Sequence, residues 1–146
     1  MKREKFLWPL SQSHHRGLVL AKKVREGAAK EGVDEGSLKA LSAEVQRAYE
    51  GELRQHFRDE EEMLVLFESK VGAKDSDAER LRSDHRKLES LVPQASKESL
   101  LLFAETLTRH IRFEEDVLFG RLEKAFAENE KREWGDTLQE HAPSCP

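Results

Sequence analysis

The chain has 146 residues, of which 37% are hydrophobic and 37% charged, with a net charge of −4 and a single cysteine. The length suits one domain with its own core, spanning 1–146. The lean apolar content suits long amphipathic helices, and the acidic balance disfavours nucleic acid as a partner. No apolar run nears the roughly 20 residues of a membrane span, no secretory apolar region follows the start, and one cysteine builds no internal disulfide. A soluble cytoplasmic protein with no membrane partner is the expectation.

In chain order, residues 1–10 read as a lead-in whose Phe6, Leu7, Trp8 and Leu10 pack against the domain. A first helix is predicted from near Ser11 to about Lys30, stopped by Gly32, with His14, Leu18, Ala21, Val24 and Ala28 inward. A second helix runs from the stretch Asp34 to Ser37 as far as about Lys70, where Gly72 ends it. A third opens with Ser76-Asp77-Ala78-Glu79, a capping-box pattern, and closes at Pro93. Its inward face is Leu81, His85, Leu88 and Val92. A fourth runs from about Ser96 to Asn129, and a tail with a short helix around Trp134 and Leu138 ends loosely. Nothing alternates as a strand would. Four helices with short links predict an all-α, up-down-up-down four-helix bundle, with its core at about 10–130 and a tail at 131–146.

Two stretches stand out. His56-Phe57-Arg58-Asp59-Glu60-Glu61 is echoed by His110-Ile111-Arg112-Phe113-Glu114-Glu115. Each sets a histidine and a glutamate four residues apart, on one helical face, where an imidazole nitrogen and a carboxylate oxygen can grip one metal region. Glu61 and Glu115, five residues on, point away from those histidines. The apolar frames also match: Leu53 answers Leu107, Tyr49 answers Phe103, Met63 answers Val117 and Leu64 answers Leu118. A single His-x-x-x-Glu is commonly a surface contact. Two in an apolar stripe are costly unless paired or metal-bound, and they point to one shared site.

The first and third helices each add a histidine. On the third it is His85. On the first it is His14 or His15, which lie about 100° apart around the helix. A short internal match, Ser-x-His-Arg-x-Leu at Ser13 to Leu18 and at Ser83 to Leu88, favours His15. The apolar face favours His14, and burial is the physical requirement, so the choice inclines to His14 with His15 kept open.

The order His, His-x-x-x-Glu, His, His-x-x-x-Glu on four helices resembles the hemerythrin HHE cation-binding family. The run from Leu10 to Ala21 looks like the first helix of its bacterial members, and His56 to Phe67 and His110 to Phe119 look like its paired helices. The resemblance extends from about Leu10 to Phe126. It implies a non-haem di-iron centre inside the bundle, two iron ions with an oxo or hydroxo bridge, held by His14 or His15, His56, Glu60, His85, His110 and Glu114. The oxygen-carrying hemerythrins have a His-x-x-x-His pair on the third helix; here Glu89 stands four residues after His85 and Leu81 four before. That departure weakens the expectation of reversible oxygen carriage. Glu89 reads as solvent-facing, with an exchangeable ligand as the alternative.

The donor chemistry agrees with the resemblance. Nitrogen and oxygen ligands without thiolate suit iron, manganese or zinc. If Glu60 and Glu114 bridge two six-coordinate ions, about two positions on each stay free for the bridge and a small ligand. The leading expectation is therefore a protein that binds or senses O₂, related small oxidants, or iron. The alternatives are an enzyme acting on peroxide or nitric oxide at the same centre and a metal-free helical interaction module. Tyr49 either approaches the metal or packs in the core, Trp8 and Trp134 read as packing residues, and His141 with Cys145 is a weaker second metal candidate in a loose tail.

Overall fold

Helix α1 spans Trp8–Ala29 and is preceded by a 3₁₀ turn, Lys5–Leu7. It starts three residues ahead of the expected Ser11 because Pro9 occupies its first turn, where a missing amide proton costs nothing. The computed structural model describes residues 2–143, and among these every regular element is a helix. Gly32 and Gly72, both in the left-handed region (φ 71° and 79°), turn the chain after the first and second helices.

Helix α2 is one continuous run in three parts: Glu35–Ala48, a π-helical stretch Tyr49–Leu53, and Arg54–Val71. Asp34 caps its start by accepting the Ser37 amide at 2.7 Å. Helix α3 is Ser76–Leu91. Its cap is Asp75, not the expected Ser76: the Asp75 carboxylate accepts the amides of Asp77 and Ala78 at 3.0 and 3.1 Å and is held by Arg121 at 2.7 Å. Helix α4 also has three parts, Lys97–Phe113, a π-helical stretch Glu114–Leu118, and Phe119–Ala125, with Ser96 as its cap. It ends before the expected Asn129, because Phe126 is extended (φ −82°, ψ 139°).

The short helix expected around Trp134 and Leu138 is a fifth helix of 14 residues. Helix α5, Glu128–His141, buries Leu138 and packs on the Lys5–Leu7 turn, with Lys131 bonded to Glu4 at 2.7 Å. Trp134 packs partly buried against the same core, whereas Trp8 is 42% exposed and donates its indole N–H to the Arg3 carbonyl.

Two apolar clusters fill the interior. One holds Leu10 of α1, Met63 and Phe67 of α2, Leu81 of α3 and Leu118 and Phe119 of α4. The other holds Ala21 and Val24 of α1, Leu53 and Phe57 of α2, Leu88 of α3 and Phe103 and Leu107 of α4. Along α1 and α3 the chain passes from the first cluster to the second, and along α2 and α4 from the second to the first. The four helices therefore alternate in direction, as an up-down-up-down bundle must. The residues between the clusters form one layer, and it contains His14, His56, Glu60, His85, His110 and Glu114.

The π turn in α4 alters the expected register. A π turn takes one extra residue, so the inward face slips by one position beyond it. Val117, expected to match Met63, is 44% exposed, and Phe119 is buried instead; Met63 itself is fully buried. On α1 the inward position expected for Leu18 belongs to Gly17, whose missing Cβ would lie 3.0 Å from Ile111 Cδ1. That glycine lets α1 lie close against α4. No helix is long and apolar enough to cross a membrane among the described residues.

Candidate metal centre

The polar layer brings six side chains together from four helices. His14 comes from α1, His56 and Glu60 from α2, His85 from α3, and His110 and Glu114 from α4, and each is at most 5% exposed. The i, i+4 spacing does on α2 and α4 what helical geometry requires, setting both members of each pair on the inward face. His56 Nε2 lies 2.9 Å from Glu60 Oε2, and His110 Nε2 lies 3.0 Å from Glu114 Oε1.

Contacts between helices join the pairs. His14 Nε2 is 3.0 Å from Glu114 Oε1 and 3.8 Å from Glu60 Oε2. His85 Nε2 is 3.1 Å from the other Glu60 oxygen, Oε1. The donors fall into two groups whose ligand atoms lie within 4.8 Å of one another: His14, His56, Glu60 and Glu114, and Glu60, His85 and His110. Glu60 belongs to both. His15 is exposed and belongs to neither.

Three of the four histidines hand their outer nitrogen to a carboxylate, which orients the ring and aims Nε2 into the layer. His14 Nδ1 meets Glu115 Oε2 at 2.6 Å, His85 Nδ1 meets Glu61 Oε2 at 2.9 Å, and His110 Nδ1 meets Asp84 Oδ2 at 3.0 Å. Glu115 is itself fixed by the Ser11 hydroxyl at 2.8 Å and by Arg3, whose Nε is 3.4 Å from Glu115 Oε1. Phe57 stacks on His85 with ring centroids 3.9 Å apart, and Phe119 on His14 at 5.2 Å. His56 has no such acceptor among the described residues: its Nδ1 is buried without a hydrogen-bond partner there.

These acceptors are the members of the polar cluster that residue order alone did not identify. Glu61 and Glu115 were visible as the second glutamate of each repeated Glu-Glu doublet, and they do point away from the histidine of their own helix. What they point at is a histidine on the neighbouring helix, α1 for Glu115 and α3 for Glu61. Asp84 left no local signal, since its partner lies 26 residues away. The Ser-x-His-Arg-x-Leu match misaligns the layer, for it sets inward-facing His14 opposite Asp84 and exposed His15 opposite His85.

The electrostatics are those of a site built for positive charge. Burial, the largest single influence, pushes the His14 and His110 imidazoles towards neutrality, but the charge of Glu114 together with the hydrogen bonds of Glu114, Glu115 and Asp84 outweighs it; His14 is held well above its usual value and His110 is raised to about 10. His85 is also raised, with the hydrogen bonds of Glu60 and Glu61 overcoming burial. Burial alone would lift the Glu60 carboxyl, yet His56, Glu114 and His14 hold it well below the usual carboxylate range. Without a cation, protons on the imidazoles balance the carboxylates.

Buried donor atoms left without partners supply the test of fit. His110 Nε2 lies near Glu114 without hydrogen-bonding geometry, and Glu114 Oε2 accepts no hydrogen bond of good geometry among the described residues. A buried lone pair with no donor is costly, and both atoms belong to the converging set. The residues fit a hard or borderline cation bound by nitrogen and oxygen.

The remaining candidates lie elsewhere. Tyr49 is half-buried and donates its hydroxyl to exposed Glu89 at 2.8 Å, so the two satisfy each other outside the layer. His141 Nδ1 sits 2.9 Å from buried Asp59, on the outer side of α2, and Cys145 lies outside the described residues.

No curated protein and no solved structure gives a match to this chain. The family model for the hemerythrin HHE cation-binding domain matches residues 8–122, most of the chain and every residue of the polar layer. With four helices alternating in direction around two overlapping histidine–carboxylate groups, the chain belongs to the hemerythrin HHE cation-binding domain family.

Proposed function

We propose that this protein holds two iron ions in the polar layer and uses them to bind or sense O₂ or a related small oxidant. In this reading His14, not His15, serves with His56 at one position, and His85 and His110 serve the other. Glu60 spans the two, and Glu114 would complete the position of His14 and His56 from the opposite helix. The observation that carries the reading is the split allegiance of Glu60. One of its oxygens faces His56 and His14 while the other faces His85. A carboxylate so placed sits between two cations rather than beside one.

Iron in a nitrogen and oxygen set supplies redox chemistry and free coordination positions for a small ligand. The chain's own residues do the rest. Glu115, Glu61 and Asp84 fix three imidazoles in the tautomer that directs Nε2 inward. Phe57 and Phe119 cover two of the rings, and the two apolar clusters exclude bulk water above and below the layer. Glu89 has no part in this reading, since it is exposed and engaged by Tyr49.

Anaerobic titration with Fe(II) tests it, followed by admission of O₂ while the absorption spectrum is recorded. Two equivalents per chain and new near-ultraviolet absorption on oxygenation are expected. A single equivalent would refute the paired site, and no uptake of iron would refute the function.

A further inference from the structure

His56 is the exception among the four histidines of the layer. Without a metal its Nε2 donates to Glu60 at 2.9 Å, and a metal on Nε2 would leave the proton on Nδ1; in both states Nδ1 needs a hydrogen-bond partner, yet that atom is buried and has none among the described residues. Beside it lies the Ser13 hydroxyl on α1, in a residue 5% exposed, which faces Glu52 but makes no hydrogen bond of good geometry. Both residues line one cavity of about 20 Å³ between α1, α2 and α5. A space must exceed roughly 10–15 Å³ to hold one water, which also needs two to four polar partners. The cavity has that size, and its polar wall is completed by Glu52, Gln55, Asp59 and His141.

The wall's carboxylates are already committed. Arg16 Nε bonds both Glu52 oxygens at 3.0 Å. Asp59, 3% exposed, accepts from Gln55 at 3.0 Å and pairs with His141 at 2.9 Å. Neither reaches His56 Nδ1. We propose that the cavity is a binding site for a single water molecule, which hydrogen-bonds His56 Nδ1 and the Ser13 hydroxyl, and which accepts the Nδ1–H when Nε2 is given to a metal.

Three imidazoles are thus oriented by fixed carboxylates and the fourth by an exchangeable molecule. His141, clasping Asp59 from the end of α5, closes the outer wall. His141 lies beyond residue 122, where the family match ends, whereas Glu52, Gln55 and Asp59 lie within it. The water's role in orienting a metal ligand rests on the proposed two-iron reading; the water site itself does not.

A crystal structure of the metal-free protein, at a resolution that shows ordered water, tests the site directly. A water within hydrogen-bonding distance of both His56 Nδ1 and Ser13 Oγ is expected. A dry cavity, or Nδ1 bonded directly to Glu52 or Asp59, overturns the proposal. The role is tested with Co(II) as the probe metal in two variants, with circular dichroism to confirm the fold. Ser13→Val fills the cavity and should raise the Co(II) dissociation constant by about tenfold or more, the usual effect of losing an imidazole's outer partner. Ser13→Ala leaves room for the water and should raise it clearly less. Equal shifts in the two variants overturn the role. If the unaltered protein takes up neither Co(II) nor Fe(II), the two-iron reading fails, and the crystallographic water still stands or falls separately.

Discussion

Helices α2 and α4 both set a histidine, and a glutamate four residues later, into the layer between the apolar clusters, but the two copies are wound differently. The π turn of α2 comes before its pair, at Tyr49–Leu53, and that of α4 begins on the glutamate itself, at Glu114–Leu118. Beyond its pair, α2 keeps the ordinary register and buries Met63; α4 slips by one, exposing Val117 and burying Phe119 against His14. Glu60 belongs to both donor groups and Glu114 to one. His110 has Asp84 behind it, whereas His56 has no acceptor among the described residues. Identical ligand spacing therefore yields unequal half-sites, because winding and neighbours differ.

The largest expected effect concerns the shared carboxylate. Glu60→Ala should abolish binding at both positions, whereas Glu114→Ala should retain one metal per chain through Glu60, His85 and His110. Metal content after reconstitution distinguishes these outcomes, and equal losses would break the asymmetry. The slipped register comes next. Met63→Ala removes a fully buried side chain and should cost about 2–5 kcal/mol. Val117→Ala, at the matching sequence position, should stay within about 0.5 kcal/mol because that side chain already meets solvent. Denaturant melts measure both, and similar losses would place the α4 π turn elsewhere.

The acceptors offer a finer probe. Asp84→Ala should weaken metal affinity about 10–100-fold by freeing the His110 ring, which competition against a chelator would read out. Proton linkage sharpens the α4 side further. In the metal-free protein His110 is raised from 6.5 to about 10. Its contribution to stability is therefore full below about 6.5 and fades as the pH rises through about 10. Denaturant midpoints of metal-free protein should fall from pH 7 to pH 10, and metal uptake in that window should release protons. Calorimetry in buffers of different ionisation enthalpy counts them. The smallest effect is expected from His141→Ala, which leaves buried Asp59 with Gln55 alone and should cost about 1 kcal/mol in a thermal melt.

Helix type and inward faces were legible from residue order, because helical periodicity is a local property that each segment expresses alone. The three-and-four spacing of Leu81, His85 and Leu88 on α3, and the histidine–glutamate pairs on α2 and α4, needed no partner to be read. The fifth helix was less legible: Trp134 and Leu138 marked it, but its docking on Phe6 joins segments more than a hundred residues apart. The choice between His14 and His15 was readable only as an inclination, since the two differ by one step around the helix and the internal repeat pointed the other way.

By itself, then, the amino-acid order determined an all-α chain, the direction of its polar stripe and the inward-facing donors on α2, α3 and α4, with His14 or His15 left open on α1. Tertiary structure decided what each donor meets. Gly17 draws α1 against α4, π turns shift the face of each long helix, and Glu61, Glu115 and Asp84 find their histidines across interfaces. Those outcomes depend on interhelical distance and rotation, set by the packing of the whole core, which no single segment encodes.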